Sequence, residues 1–206
     1  CVRIPWSVAM VQQNWKVYNE TLLRANPSLL GLSALEILDA VVDACAKAKL
    51  VIVLDNHMSD PDWCCSTTDK NGLWYNDNWS EIDWISAHVE VAKRYNDQPY
   101  VVAGELRNEL RSSVVDGETR SPTWGDGSNL TDWRAAAERA STEILRARPN
   151  GYLIVVDSLA YSTDFTGVFD APIHLSVEHR LVYSAHDYSW SQSVDSKEAL
   201  HEYLGK

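Results

Sequence analysis

Leu50-Val51-Ile52-Val53-Leu54-Asp55-Asn56-His57 decides the fold. Five apolar residues run without a polar alternate and end abruptly in polar ones. A strand exposed on one face alternates, whereas a strand covered on both faces does not, so this run belongs to a parallel sheet. Upstream, Ser33 to Lys47 carries apolar residues at Ala34, Leu38, Val41, Cys45 and, one residue on, Ala48, which is helical spacing. Ser33 and Glu36 form a capping-box pattern at its start. Downstream the plan repeats. Asn78 and Glu81 open a second helix with the stripe Ile82, Ile85, Val89 and Ala92, and Asn96, Asp97 and Pro99 stop it. Tyr100-Val-Val-Ala103 is the next strand. Thr131 to Arg148 is a third helix, closed by Pro149-Asn150-Gly151.

Tyr152 to Val156 and Leu181 to Ala185 supply two more strands, Val2 to Pro5 a short first one, and Lys197 to Leu204 a last helix. Five strands mostly separated by helices predict a parallel α/β sheet with right-handed crossovers. The 206 residues suffice for one domain but fall short of the ~250 of a closed (β/α)8 barrel. Cys1-Val-Arg-Ile-Pro5 reads as the middle of a strand, so the N-terminus is expected to be a cut. The loops 55–77, 108–130 and 157–178 all follow strands. Polar residues gather in or after the strands: Arg3, Asp55-Asn56-His57, Asn108-Glu109 and His186-Asp187-Tyr188. In a parallel barrel such positions converge on the C-terminal face.

Composition excludes some partners. A formal net charge of -11 disfavours nucleic acid and anionic membranes, which need a basic face. No apolar run approaches the ~18 residues of a membrane helix. Nine Trp and nine Tyr stand against two Phe, and rings with a polar handle suit half-wet surfaces. The four cysteines, Cys1, Cys45, Cys64 and Cys65, show no zinc spacing. Adjacent Cys64 and Cys65 bridge only with strain, so a disulfide to a distant cysteine is expected. Sequons at Asn19, Asn78 and Asn129, together with the cysteines, point to a secreted protein.

The stretches Cys1-Val-Arg-Ile-Pro5, Val53-Leu-Asp-Asn-His57, Leu106-Arg-Asn-Glu-Leu110 and Tyr183-Ser-Ala-His-Asp-Tyr188 carry a resemblance to glycoside hydrolase family 5. Asp62-Trp-Cys-Cys-Ser66 is similar to its fungal and plant branches. The resemblance implies an incomplete (β/α)8 barrel covering roughly strands 2 to 6. It implies a single catalytic domain, 1–206, truncated at both ends. The implied activity is retaining hydrolysis of a β-linked polysaccharide, cellulose-like β-glucan or mannan.

By that resemblance Glu109 is the acid/base and Asn108 binds the sugar 2-hydroxyl. Arg3 orients the nucleophilic carboxylate, and His57, His186, Tyr188, Trp63 and Trp190 contact substrate. Trp74, Tyr75, Trp79 and Trp124, in or beside the loops, are further candidate platforms. Retaining chemistry needs two carboxyl groups, and a proton donor should have a raised pKa. No nucleophile is found. Glu178 stands at the wrong end of its strand, Glu198 and Glu202 lie in the last helix, and Glu105 sits within a strand before the site.

No metal or organic cofactor is expected. The expected partner is a β-linked glycan, with no nucleic acid and no membrane, and the complete form is expected to be a secreted monomer. Two other readings stay open. One is a sugar-binding pseudoenzyme or effector on the same barrel. The other is a metal-dependent barrel hydrolase using Asp55, His57, His186 and Asp187.

Overall fold

The structure, a computed structural model, describes residues 1–62 and 64–188. Five parallel strands form one sheet: β1 (Val2–Ser7), β2 (Ile52–Met58), β3 (Val101–Glu105), β6 (Leu153–Asp157) and β7 (Leu181–Ser184). Between β3 and β6 lies a small antiparallel hairpin, β4 (Ser113–Val115) and β5 (Glu118–Arg120). The helices are α1 (Val8–Gln13), α2 (Ala34–Lys47), α3 (Glu81–Arg94), α4 (Trp133–Ala147) and the short turns α5 (Leu159–Ser162) and α6 (Thr166–Asp170).

The strand order is β1-β2-β3-β6-β7, which never reverses. A doubly wound sheet reverses at a switch point. A monotonic order with right-handed crossovers places every crossover helix on the same side, which is the wall of a barrel. In-register pairs run across the wall: Pro5 with Asp55, Asp55 with Glu105, Glu105 with Val155. Residues opposite one another in a parallel pair share a face. Asp55 and Glu105 therefore both point away from the helices, into the barrel interior.

The helix-facing side is the core. Ile52, Leu54, Ile154 and Val156 are fully buried there. Trp74, Trp84 and Trp133 form an aromatic cluster with ring centroids 5.4 to 6.4 Å apart. Their polar edges are satisfied: Trp84 Nε1 donates to the Leu106 carbonyl and Trp133 Nε1 to the Asp157 carbonyl. Each such ring removes about 150–250 Å² from water, worth roughly 4–6 kcal/mol gross.

Several expectations are corrected here. The capping box at Ser33 and Glu36 is present, but α2 buries Leu35, Leu38 and Val42 while Val41 is 38% exposed. Helix α3 is capped by Ser80 with Asp83, not opened at Asn78. It hides Trp84, Ala87, His88, Val91 and Ala92, and Ile82 is 76% exposed. The aliphatic stripe misled because the bulky inward residues, Trp84 and His88, carry polar atoms that find a buried carbonyl. Strand β2 starts at Ile52, leaving Leu50 and Val51 partly exposed at its lower end. The hairpin, α5 and α6 interrupt stretches read as loop. The last helix, 197–204, lies outside the described residues.

Candidate active site

Strand β3 ends at Glu105, and the chain continues as Leu106-Arg107-Asn108-Glu109 over the C-terminal edge. Leu106 N–H still bonds to Val155 and Asn108 N–H to Asn56, so the segment is stitched to strands on both sides. Beneath it, Arg107 is fully buried and donates to Asn56 Oδ1 at 3.0 Å and to the Asn71 carbonyl at 2.7 Å. Glu109 then takes a left-handed backbone, φ 44°, which L-residues rarely adopt. Its N–H donates to Asp157 Oδ2 at 2.9 Å and its carbonyl accepts from Arg111 Nη1 at 2.9 Å.

The Glu109 carboxylate is held by the segment that follows β7. His186 Nδ1 lies 2.9 Å and Tyr188 Oη 3.0 Å from Oε1. The His186 hydrogen bond stabilises the anion most, burial opposes it, and Tyr188 adds to it, so the pKa falls below the ordinary glutamate value. A raised value was expected. Two donors on one oxygen favour the charged form more than partial burial disfavours it.

Inside the barrel lies a charged network. Arg3 donates from Nε and Nη2 to both oxygens of Glu105, each at 2.6 Å, and from Nη2 to Asn108 Oδ1 at 2.8 Å. Its Nη1 is 3.0 Å from Asp55. Burial works against the Arg3 charge, but the Glu105 hydrogen bonds and the Asp55 charge outweigh it and push its pKa up. Asp55 also accepts from His57 Nδ1 at 2.6 Å, which leaves Nε2 as the atom His57 can offer to a ligand. Burial, with the Glu105 charge, raises the Asp55 pKa despite that hydrogen bond. Asp157 is fully buried, and burial with the neighbouring Glu105 charge pushes its pKa up to about 9.

The structure thus brings Arg3, His57, Asn108, Glu109, His186 and Tyr188 to one end of one sheet. Glu105, read as lying before the site, is the last residue of β3 and the partner of Arg3. The guanidinium is taken up by Glu105, Asp55 and Asn108 within this chain. Trp63 and Trp190 lie outside the described residues. Of the other loop aromatics one is closed off and three are half-buried and tied at one polar atom. Trp74 is fully buried, Trp79 Nε1 donates to Asp60, Trp124 Nε1 to the Ala171 carbonyl, and Tyr75 Oη to the Leu130 carbonyl.

Cys64 and Cys65 bridge each other, beside the Asn108 amide, while Cys1 and Cys45 are free. The expected bridge to a distant cysteine does not form among the described residues. Asp55, His57, His186 and Asp187 do not assemble as one donor set. The groups whose donor atoms fall within 4.8 Å are Cys64, Cys65 and Glu109, and Glu105, Asp157 and His186. In the second, Glu105 already has both oxygens on Arg3, so a cation is supplied by the protein.

Residues 1–205 match the description Cellulase (glycosyl hydrolase family 5). The chain belongs to glycosyl hydrolase family 5. It is 33% identical over 174 residues to an endoglucanase of Paenibacillus polymyxa, covering 79% of this chain and 40% of that protein. It is 30% identical over 177 residues to a probable mannan endo-1,4-beta-mannosidase C of Aspergillus terreus, covering 78% of this chain and 43% of that one. The catalytic domain of the major endoglucanase from Xanthomonas campestris pv. campestris superposes with a TM-score of 0.78 at 26% identity, covering 96% of this chain and 58% of that chain. This family 5 chain therefore spans less than half the length of these curated relatives and is a partial (β/α)8 barrel.

Sequence reasoning missed Asp157 in this family 5 site. A signal was present: Leu153-Ile-Val-Val-Asp157 repeats the pattern of Val51-Ile-Val-Leu-Asp55, an apolar strand ending in Asp. Arg111 was missed too. Its side chain is buried against Asp69 at 2.6 Å, two residues beyond the glutamate whose carbonyl it holds.

Proposed function

We propose that the complete protein is a secreted, retaining β-glycoside hydrolase with Glu109 as its acid/base. In this reading residues 1–206 are part of a single catalytic domain. The observation that carries it is the Glu109 carboxylate at the C-terminal strand edge, gripped by His186 and Tyr188 on one oxygen. In glycosylation Glu109 protonates the departing oxygen. In deglycosylation it removes a proton from the attacking water. Asn108 is fixed by Arg3 through its Oδ1, its Nδ2 lies against the Cys64 and Cys65 sulfurs, and the resemblance assigns it to the sugar 2-hydroxyl. His57 offers its Nε2 to the glycan.

The attacking carboxylate is assigned to a residue outside this chain. Glu105, Asp157 and Asp55 are buried and cannot touch a sugar. A retaining pair stands ~5–5.5 Å apart, and the negative charge of the second carboxylate opposes ionisation of Glu109. That charge restores the proton which His186 and Tyr188 alone would release. Two carboxyl groups suffice for the reaction, so the protein needs no metal or organic cofactor. The substrate is a β-1,4-glucan of the cellulose type, with β-mannan as the second candidate, in line with the names of the two relatives.

The test uses the complete protein on carboxymethylcellulose, mannan and an aryl β-glycoside. Glu109→Gln should slow substrates with poor leaving groups by about 10²–10⁴-fold. Azide should partly restore turnover of activated glycosides and yield a β-glycosyl azide. Activity should survive EDTA, and residues 1–206 alone should not turn over. Unchanged kinetics in Glu109→Gln would remove the reading.

A further inference from the structure

We propose that Asp157 is a positioning residue for Glu109, fixing its left-handed backbone directly and its carboxylate through His186. The inference rests on the reading of Glu109 as acid/base. A left-handed conformation is unfavourable for an L-residue, and it persists only where the surroundings hold it. At Glu109 two side chains do so: Asp157 Oδ2 takes the N–H and Arg111 Nη1 the carbonyl. Asp157 also reaches the other end of the residue. Its Oδ2 lies 3.5 Å from His186 Nε2, while His186 Nδ1 grips Glu109 Oε1. One carboxyl group therefore touches both the main chain of Glu109 and the ring that aims its side chain.

Asp157 cannot act on substrate itself, because it is fully buried. Nor does packing require an acid at this place, since its strand neighbours Ile154, Val155 and Val156 are aliphatic. The group is itself anchored. It ends β6, and its carbonyl accepts from Trp133 Nε1 at 2.8 Å. Burial and the Glu105 charge keep the proton on Asp157 at neutral pH. It accepts from the Glu109 N–H through Oδ2. Asparagine keeps that acceptor in its amide oxygen, and alanine does not.

The experiment measures kcat and KM in the complete protein with an aryl β-glycoside of good leaving group and a cello-oligosaccharide of poor one. Asp157→Ala should lower kcat on the oligosaccharide about 10–100-fold, with KM changed less than about threefold and a smaller loss on the aryl glycoside. Asp157→Asn should recover to within about fivefold of the parent. A purely structural role would lower both substrates equally, by loss of folded protein. Equal losses overturn the proposal. So does a folded Asp157→Asn as slow on the oligosaccharide as Glu109→Gln, a result readable even if Asp157→Ala does not fold. If Glu109→Gln itself behaves as the parent, the acid/base reading fails instead, whatever Asp157 does.

Discussion

His186 Nδ1 sits 2.9 Å from Glu109 Oε1 although 77 residues separate the two. The contact closes the site from β7 to the segment after β3, across β6. Because it stabilises the Glu109 anion, it works against the proton that an acid catalyst must hold. His186→Ala should therefore raise the Glu109 pKa. In the complete protein the basic limb of the kcat/KM profile reports that proton, so the limb should move to higher pH. Tyr188→Phe should move it in the same direction by less, since Tyr188 contributes less to lowering that pKa. A limb that moves to lower pH in either variant would contradict the assignment of the titrating group.

His88 predicts a different pH dependence, that of stability. It is buried between Trp6 and Trp84, with Nε2 2.9 Å from the Leu106 carbonyl. Burial lowers its pKa to about 3. An unfolded histidine titrates near 6.5, so between these values the unfolded chain binds a proton that the folded chain does not. Stability then rises with pH across this window and falls as pH drops from about 6.5, by up to about 1.4 kcal/mol per pH unit. Urea midpoints at several pH values should show the slope in the parent. His88→Gln, which retains a donor to Leu106, should reduce it.

Arg107 tests how a buried cation is tolerated beneath the site. Its acceptors, Asn56 Oδ1 and the Asn71 carbonyl, are neutral, and burial lowers its pKa to about 9. Arg107→Ala removes two donors and leaves a void, so it should cost about 3 kcal/mol or more. Arg107→Met refills most of the volume and removes the desolvated charge, which offsets the lost hydrogen bonds. It should cost less than Arg107→Ala. Paired urea titrations decide, and a larger loss for Met than for Ala would refute the account.

The sheet was legible because its strands are uninterrupted apolar runs ending in polar residues, and periodicity reads such runs well. Leu50 to His57 and Tyr152 to Asp157 both announce themselves in this way. Helix faces were less legible. In α3 the bulkiest buried residues include Trp84 and His88, whose polar ring atoms both reach the Leu106 carbonyl, a contact invisible in one dimension. Asp157 and Glu105 were missed or misplaced for a related reason. A carboxyl at a strand end looks solvated until the neighbouring strands bring Arg3 and His186 over it. The loop aromatics carry contacts of the same hidden kind: Asp60 and the Ala171 carbonyl hold the indole N–H groups of Trp79 and Trp124.

Gly72 links this loop packing to the acid/base residue. A Cβ placed there would lie 2.6 Å from the Arg111 carbonyl oxygen and 2.8 Å from that of Ser112. Both are backbone atoms, so no side-chain rotation relieves the clash. The Gly72 carbonyl accepts from the Arg111 N–H at 3.0 Å, which keeps the two segments in contact. Gly72→Ala must push the segment of Arg111 away. Arg111 carries the hydrogen bond to the Glu109 carbonyl and the ion pair to Asp69, so the shift reaches the left-handed turn at Glu109. Overpacking of this kind costs about 1–3 kcal/mol. Gly72→Ala should lower the urea midpoint accordingly and, in the complete protein, lower kcat on poor leaving groups more than on aryl glycosides. Gly117→Ala provides the comparison. Its added Cβ meets nothing within 4 Å, so the strain of its positive φ of 77° should cost stability without that selective loss of rate.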